Sequence, residues 1–171
     1  MKILLTGANG YIGMRLLPQL LALGHQVVCA VRDESRFSID KEIREQIDVI
    51  EIDLLDAVVP NKIPIAIDVA YFLVHSMSSS TQDFDKKEEI TALNFNAYMA
   101  QTKVKQVIYL SGIVNDEKLS KHLSSRKNVE DILYQGSFEL TVLRAGIIVG
   151  SGSSSFEIIR DLCEKLPFMI T

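Results

Sequence analysis

Residues 2–16 read Lys-Ile-Leu-Leu-Thr-Gly-Ala-Asn-Gly-Tyr-Ile-Gly-Met-Arg-Leu, and the rest of the chain is arranged around them. Ile3, Leu4 and Leu5 form an apolar run suited to a strand buried on both faces. Gly7, Gly10 and Gly13 follow, and then an amphipathic helix begins, with Ile12, Leu16, Leu20 and Leu23 expected on its buried face. A strand, a glycine turn and a helix together make an anion site. The sharp turn needs Gly7, a backbone that closely approaches a pyrophosphate needs Gly10, and tight helix–strand packing needs Gly13. The first N–H groups of the helix lack internal partners and point at the bound phosphates, aided by the positive end of the helix dipole. The alternative is a cofactor-free scaffold, in which Gly10 and Gly13 serve packing only.

The 171 residues suit one domain with a sizeable core, and 47% hydrophobic content argues against disorder. Eighteen Lys and Arg stand against 22 Asp and Glu, with no basic block. That balance argues against nucleic acid or an anionic membrane as partner. No apolar run reaches membrane-spanning length, and the N-terminus reads as a strand rather than a signal peptide. Cys29 and Cys163, with no CxxC, suggest reduced core thiols and a cytoplasmic setting. No metal-ligand cluster is evident.

Along the chain, strands are expected at 26–31, 48–52, 68–74, 106–110 and 139–143. Helices are expected over about 11–23, 41–46, 82–102, 120–134 and 155–165. Gly24 reads as a left-handed stop for the first helix, and Pro18 as a bend within it. Phe84, Ile90, Leu93 and Ala97 are the expected buried stripe of the third helix; Val129, Ile132 and Leu133 face inward on the fourth. Ser78–Thr81 with Asp83 reads as a helix start, and Ser154-x-x-Glu157 as a capping box for a last helix that buries Phe156, Ile159 and Leu162. Residues 167–171 look like the opening of a seventh strand. The expected fold is α/β, a doubly wound and mostly parallel Rossmann sheet of six or seven strands with helices on both faces.

The end of the second strand meets the adenine ribose in such a sheet. An acidic side chain there favours a free 2′-hydroxyl, and an Arg accommodates a 2′-phosphate. Arg32 stands at this place, so NADP is expected over NAD; Asp33, able to swing toward a ribose hydroxyl, keeps NAD open. Arg32 as a plain solvated cation is the remaining alternative.

With Thr6 ahead of it, the turn reads Thr-Gly-x-x-Gly-x-x-Gly and resembles the short-chain dehydrogenase/reductase superfamily, particularly its extended and atypical branches. The resemblance runs through most of the chain. It implies that Thr6, Gly7, Asn9, Gly10, Tyr11, Ile12 and Gly13 hold the dinucleotide, and it sets Val31 where NAD-preferring members carry an acid. Asp53-Leu54 is similar to the pair that holds adenine, although an Asp there also suits a turn. Val74, His75 and Ser76 are implied to lie beside the pyrophosphate and the nicotinamide ribose; His75 is equally readable as a structural histidine. Residues 144–150 (Arg-Ala-Gly-Ile-Ile-Val-Gly) resemble the segment facing the nicotinamide amide, with Ala145 where Pro is usual.

The resemblance also assigns chemistry. Ser111 is implied to hydrogen-bond the reacting oxygen. Members carry Tyr-x-x-x-Lys on the following helix, and the matching place here reads His122-Leu-Ser-Ser-Arg126. The spacing survives and both identities change. His122 is then the candidate acid/base and Arg126 the fixed charge that contacts the ribose. The competing reading is an exposed polar helix face of His122, Ser125 and Arg126. Tyr109 and Tyr134 have no Lys or Arg four residues later. Nothing resembles the C-terminal substrate-binding segment of extended members. One NAD(P)-binding domain over 1–171, truncated or naturally lacking that part, is therefore expected.

Two functions follow. One is an oxidoreductase or epimerase-type enzyme moving hydride between nicotinamide and the carbonyl or alcohol of an unidentified small molecule. The other is a sensor that binds the dinucleotide without turnover. A homodimer through the helices flanking the fifth strand is what the resemblance implies.

Overall fold

The structure, a computed structural model, describes residues 1–74, 84–113 and 121–165. Six strands, β1 (Lys2–Thr6), β2 (Gln26–Val31), β3 (Ile47–Glu51), β4 (Val69–Phe72), β5 (Gln106–Gly112) and β6 (Glu139–Ala145), form one sheet in the order β3-β2-β1-β4-β5-β6. Every pairing is parallel. Five helices are described: α1 (Tyr11–Ala22), α2 (Lys41–Arg44), α3 (Phe84–Met99), α4 (Lys121–Leu133) and α5 (Ser154–Lys165). The strand order reverses between β1 and β4, which is the switch point where such sheets open a ligand crevice. Residues 167–171, with the expected seventh strand, lie outside the described residues, as does the helix start at 78–83.

Strand alternation builds two cores. Ile3 and Leu5 of β1 pack with Val27, Cys29 and Val31 of β2 and with Leu17 and Leu20 of α1. Leu4 points the other way, into a cluster with Val28, Phe72, Val107, Phe95, Met99, Val129 and Leu133 that α3 and α4 cover. Phe72 anchors this side, its ring centroid 4.7 Å from Phe95 and 5.7 Å from Tyr109. Val129, Ile132 and Leu133 are buried as the spacing predicts.

Three helix faces differ from expectation. On α1 the buried positions are Gly13, Leu17 and Leu20, while Leu23 is 71% exposed. Gly13 sets that rotation, because it is pressed against the backbone of the glycine turn. On α3 the buried stripe is Glu88, Thr91, Ala92, Phe95, Tyr98 and Met99, and Ile90, Leu93 and Ala97 face outward; the side chain of Phe84 lies outside the description. Two polar residues on the inner face disguise it from a hydrophobic pattern. On α5, Ile159 and Leu162 are exposed and Phe156 is half-buried. The cap of α5 is Ser153 rather than Ser154: its Oγ accepts from Phe156 N at 3.2 Å, and Glu157 Oε1 accepts from Gly152 N at 2.8 Å.

Gly24 does end α1, at φ +76°, with Gly24 N donating to Leu21 O and His25 N to Leu20 O. Cys29 is buried, and burial pushes its thiol up to about 12; Cys163 is exposed rather than in a core. Among the described residues, no helix is long and apolar enough to cross a membrane.

Candidate functional site

A cleft with a volume of about 250 Å³ opens at the C-terminal ends of β1, β2, β3 and β4. Thr6, Gly7, Asn9 and Gly10 form its floor, and Ala30, Val31 and Arg32 close the β2 side. Ile52, Asp53, Leu54 and Leu55 follow β3; Leu73 and Val74 follow β4; Ile63, Thr91 and Phe95 form the back wall. Thus eight of the expected cofactor residues (Thr6, Gly7, Asn9, Gly10, Arg32, Asp53, Leu54 and Val74) line one cavity. Tyr11, Ile12 and Gly13 form the first turn of α1 beside it. His75 and Ser76 lie outside the described residues.

Each glycine of the turn has its own reason. Gly7 has φ +69°, and a Cβ there would stand 2.8 Å from Leu73 O, so the turn crosses directly over the end of β4. A Cβ on Gly13 would lie 2.8 Å from both Cα and O of Ala8 and closer still to Gly7 O. The helix is therefore packed against the turn itself rather than against the strand. Gly10 differs. Its Cβ would meet Gly7 O at 3.1 Å and otherwise open space.

Gly10 is also the N-cap of α1, extended at φ −81° and ψ 168°, with no side-chain cap and no acidic residue in the first turn. Among the described residues nothing accepts a hydrogen bond from the N–H of Tyr11, Ile12 or Gly13. An open glycine, unpaired donors and the positive end of a helix fit a diphosphate. Thr6 is committed elsewhere: its buried hydroxyl donates to Tyr71 O at 2.8 Å and accepts from Leu73 N at 3.4 Å, clamping β1 to β4 at the switch point.

At the end of β2, Arg32 is exposed and makes no ion pair among the described residues. Asp33 is occupied. Its Oδ1 accepts from Ser35 N at 2.9 Å and from Ser35 Oγ at 2.6 Å, capping the short helical turn Glu34–Arg36. The Ser35 hydroxyl foremost holds its carboxyl below the usual range, with Arg36 adding to the effect. Asp53 likewise serves a turn, its Oδ1 accepting from Leu55 N at 2.9 Å. Asn94 of α3 fixes this wall by donating Nδ2 to Leu54 O at 2.8 Å and to Asp56 O at 2.9 Å.

Val74 and Thr91 also border a smaller chamber of about 10 Å³, room for one water, walled by Phe72, Glu88, Tyr109, Arg126 and Val129. Ser125 and Arg126 are buried here, at 5% and 7% exposure, so α4 does not present them as an exposed polar face. Ser125 Oγ donates to Glu88 Oε2 at 2.9 Å. Arg126 Nη1 donates to Tyr109 Oη and to Leu110 O, both at 3.3 Å. Burial alone pulls the guanidinium down to about 10, and it has no carboxylate partner among the described residues. Burial foremost pushes the Tyr109 hydroxyl well above its ordinary value, against the opposing influence of the neighbouring Ser111 hydroxyl and helped by the charges of Glu88 and Glu130. Ser111, two residues on, is 4% exposed, and its Oγ has no hydrogen-bond partner among the described residues. His122 stands on α4 one turn before Arg126, and its side chain lies outside the description.

Ile63, Thr91 and Phe95 line the cleft without a strong signal in the sequence. Thr91 and Phe95 are spaced i, i+4 on the helix after β4, and that spacing opposite the switch point is the available signal. Ile63 carried none, lying between two prolines in an irregular stretch.

Comparison with known proteins bears on this cleft. Residues 7–162 match the protein family described as NAD(P)H-binding. No curated protein sequence matches the chain closely enough to count as a relative. Among solved structures, a Bacillus halodurans protein designated an NAD-dependent epimerase/dehydratase superimposes with a TM-score of 0.74 at 23% identity, covering 90% of this chain and 74% of that one. WbmH of Bordetella bronchiseptica, solved with NAD⁺, gives 0.74 at 17% identity, over 95% of this chain and 62% of that one. The UDP-glucuronic acid 4-epimerase of Bacillus cereus, solved with NAD, gives 0.70 at 18%, over 98% and 64%. At these identities the likeness is one of fold, and the chain spans under two thirds of the last two proteins.

Proposed function

The chain belongs to the NAD(P)H-binding family, and from that premise we propose that it binds NADP(H) in the cleft at the switch point. There it acts as an oxidoreductase or epimerase-type enzyme on the carbonyl or alcohol of a small molecule. The observation that carries the reading is the head of α1, where Gly10 is open and, among the described residues, the N–H groups are unpaired and neither cap nor acid competes for them. Arg32 would pair with a 2′-phosphate, since it has no carboxylate partner among the described residues and Asp33 is tied to Ser35. Asp53, Leu54 and Val74 would border the adenosine and pyrophosphate.

Bound nicotinamide would supply hydride chemistry. The residues' share is to hold and polarise an oxygen. The Ser111 hydroxyl, buried and without a partner among the described residues, suits a hydrogen bond to a substrate oxygen. His122 would exchange the proton, and Arg126 the fixed charge behind it.

One observation favours a sensor without turnover. Arg126 Nη1 is directed at Tyr109 and Leu110, inside the fold, rather than left for a ribose. Fluorescence titration with NADPH and NADH, followed by a screen of aldehydes, ketones, quinones and sugar nucleotides for cofactor oxidation, decides. Binding with turnover supports the enzyme, and binding alone supports the sensor. Indifference to both dinucleotides at millimolar concentration removes the proposal.

A further inference from the structure

We propose that Arg15 and Tyr11 form a clasp holding the segment 146–153 onto the first turn of α1, and that this clasp sets how long a dinucleotide stays in the cleft. The inference rests on the cofactor reading above. Arg15 folds back toward the head of its own helix. Its guanidinium carbon lies 3.7 Å from the centre of the Tyr11 ring, and Nη1 reaches Tyr11 O at 3.5 Å. Nη2 donates to Ser151 O at 2.6 Å, bridging 136 residues of sequence. The Tyr11 hydroxyl meanwhile sits against Gly150, so closely that a Cβ there would overlap it, and its Cε2 is 3.9 Å from where a Gly152 Cβ would be.

The segment on the other side of the clasp is braced within itself. Ser153 N donates to Gly150 O at 2.9 Å, Ser153 Oγ to Ile148 O at 2.8 Å, and Gly152 N to Glu157 Oε1 at 2.8 Å. It is therefore tied to the head of α5. Among the described residues, Arg15 makes the side-chain hydrogen bond that reaches this unit from outside. Arg15 also has no carboxylate partner among them, so its whole charge stands over a first turn that contains no acid.

Two effects follow for an anionic ligand at the head of α1. The charge attracts a diphosphate whether or not a 2′-phosphate is attached. The clasp keeps the segment in place and slows escape. Arg15 thereby differs from Arg32, whose effect depends on the 2′-phosphate.

The test is dissociation of NADPH and of NADH from the full chain, followed by stopped-flow displacement. Arg15→Ala should release both about five- to tenfold faster, since a charge-assisted hydrogen bond at an exposed site is worth less than one shielded from water. Its unliganded melting temperature should barely move, because the side chain is at the surface. Arg15→Lys should restore the salt-dependent part of association while leaving dissociation fast, since an ammonium keeps the charge without the planar fork. Gly150→Ala, whose Cβ would overlap the Tyr11 hydroxyl and so part the ring from the segment without altering the Arg15 side chain, should also speed release. Dissociation within about twofold of wild type in both Arg15→Ala and Gly150→Ala, or acceleration for NADPH alone, overturns the clasp. If the wild-type chain binds neither dinucleotide, the cofactor reading falls first and the clasp with it.

Discussion

Replacing Gly10 by Ala should separate ligand binding from folding. Gly10 is extended at φ −81°, a conformation alanine adopts freely, so no backbone strain is introduced. The new Cβ touches Gly7 O at 3.1 Å, a contact relieved by a shift of a few tenths of an ångström. Restricting the unfolded chain returns about 0.4–1 kcal/mol, and exchanging glycine for alanine as N-cap costs about 0.5–1 kcal/mol. The two nearly cancel, and the melting temperature should stay within about 3 °C of wild type. Binding should not survive as well. The methyl occupies the open side of the cap, where a diphosphate must come within hydrogen-bond distance of the helix N–H groups. Losing one such charge-assisted bond costs about 2 kcal/mol, or roughly a 30-fold rise in Kd. Gly13→Ala is the contrasting case, since its Cβ would strike Ala8 backbone at 2.8 Å and the helix cannot yield. It should cost about 3 kcal/mol and lower the melting temperature by about 10 °C. Thermal melts of the unliganded variants and NADPH fluorescence titrations give both numbers. Wild-type affinity in Gly10→Ala, or loss of affinity and stability in proportion, would refute the reasoning.

Arg32→Ala should raise the Kd for NADPH by about tenfold and leave that for NADH unchanged, in parallel titrations; equal losses would remove the basis for preferring the phosphorylated cofactor. Arg126→Met should raise the melting temperature at pH 7. Burial lowers the guanidinium from its ordinary value to about 10, so below pH 10 it is charged in both states and the folded state carries a burial penalty of about 3 kcal/mol. A lower melting temperature would mean that the bonds to Tyr109 and Leu110 outweigh that penalty. Leu93→Glu tests the homodimer that the family resemblance implies: Leu93 is 47% exposed on α3, and sedimentation should show dimers of the wild type and monomers of the variant.

The parts of the fold legible in the sequence are those that rest on backbone or on two-sided burial. Ile3, Leu4 and Leu5 are at most 2% exposed, so a continuous apolar run was the right cue. The glycine turn was legible because chain geometry demands glycine at Gly7 and Gly13, while Gly10 leaves the head of the helix open. The face of α4 was legible too, but those of α1, α3 and α5 were not, because their inner sides depend on partners far away in sequence. Glu88 is buried opposite Ser125, 37 residues on, and no local pattern turns a glutamate inward. Asp53 shows the same limit at the site. The residue lines the cleft as expected, yet its carboxylate is fixed by Leu55 N, a turn contact that the sequence allowed equally.

The enzyme and the sensor differ in what Arg126 is for. Its guanidinium is a net burden on folding unless its bonds repay it, and those bonds go to Tyr109 and to Leu110, the residue before Ser111. On the enzymatic reading, Arg126 is the fixed charge behind His122 and also fixes the end of β5, and with it the Ser111 hydroxyl, so Arg126→Met should lower kcat more than it raises dinucleotide Kd. On the sensor reading, the same bonds serve β5 only as structure, and no rate exists to lose. A variant that melts higher and yet turns over more slowly would identify a charge retained for chemistry rather than for stability.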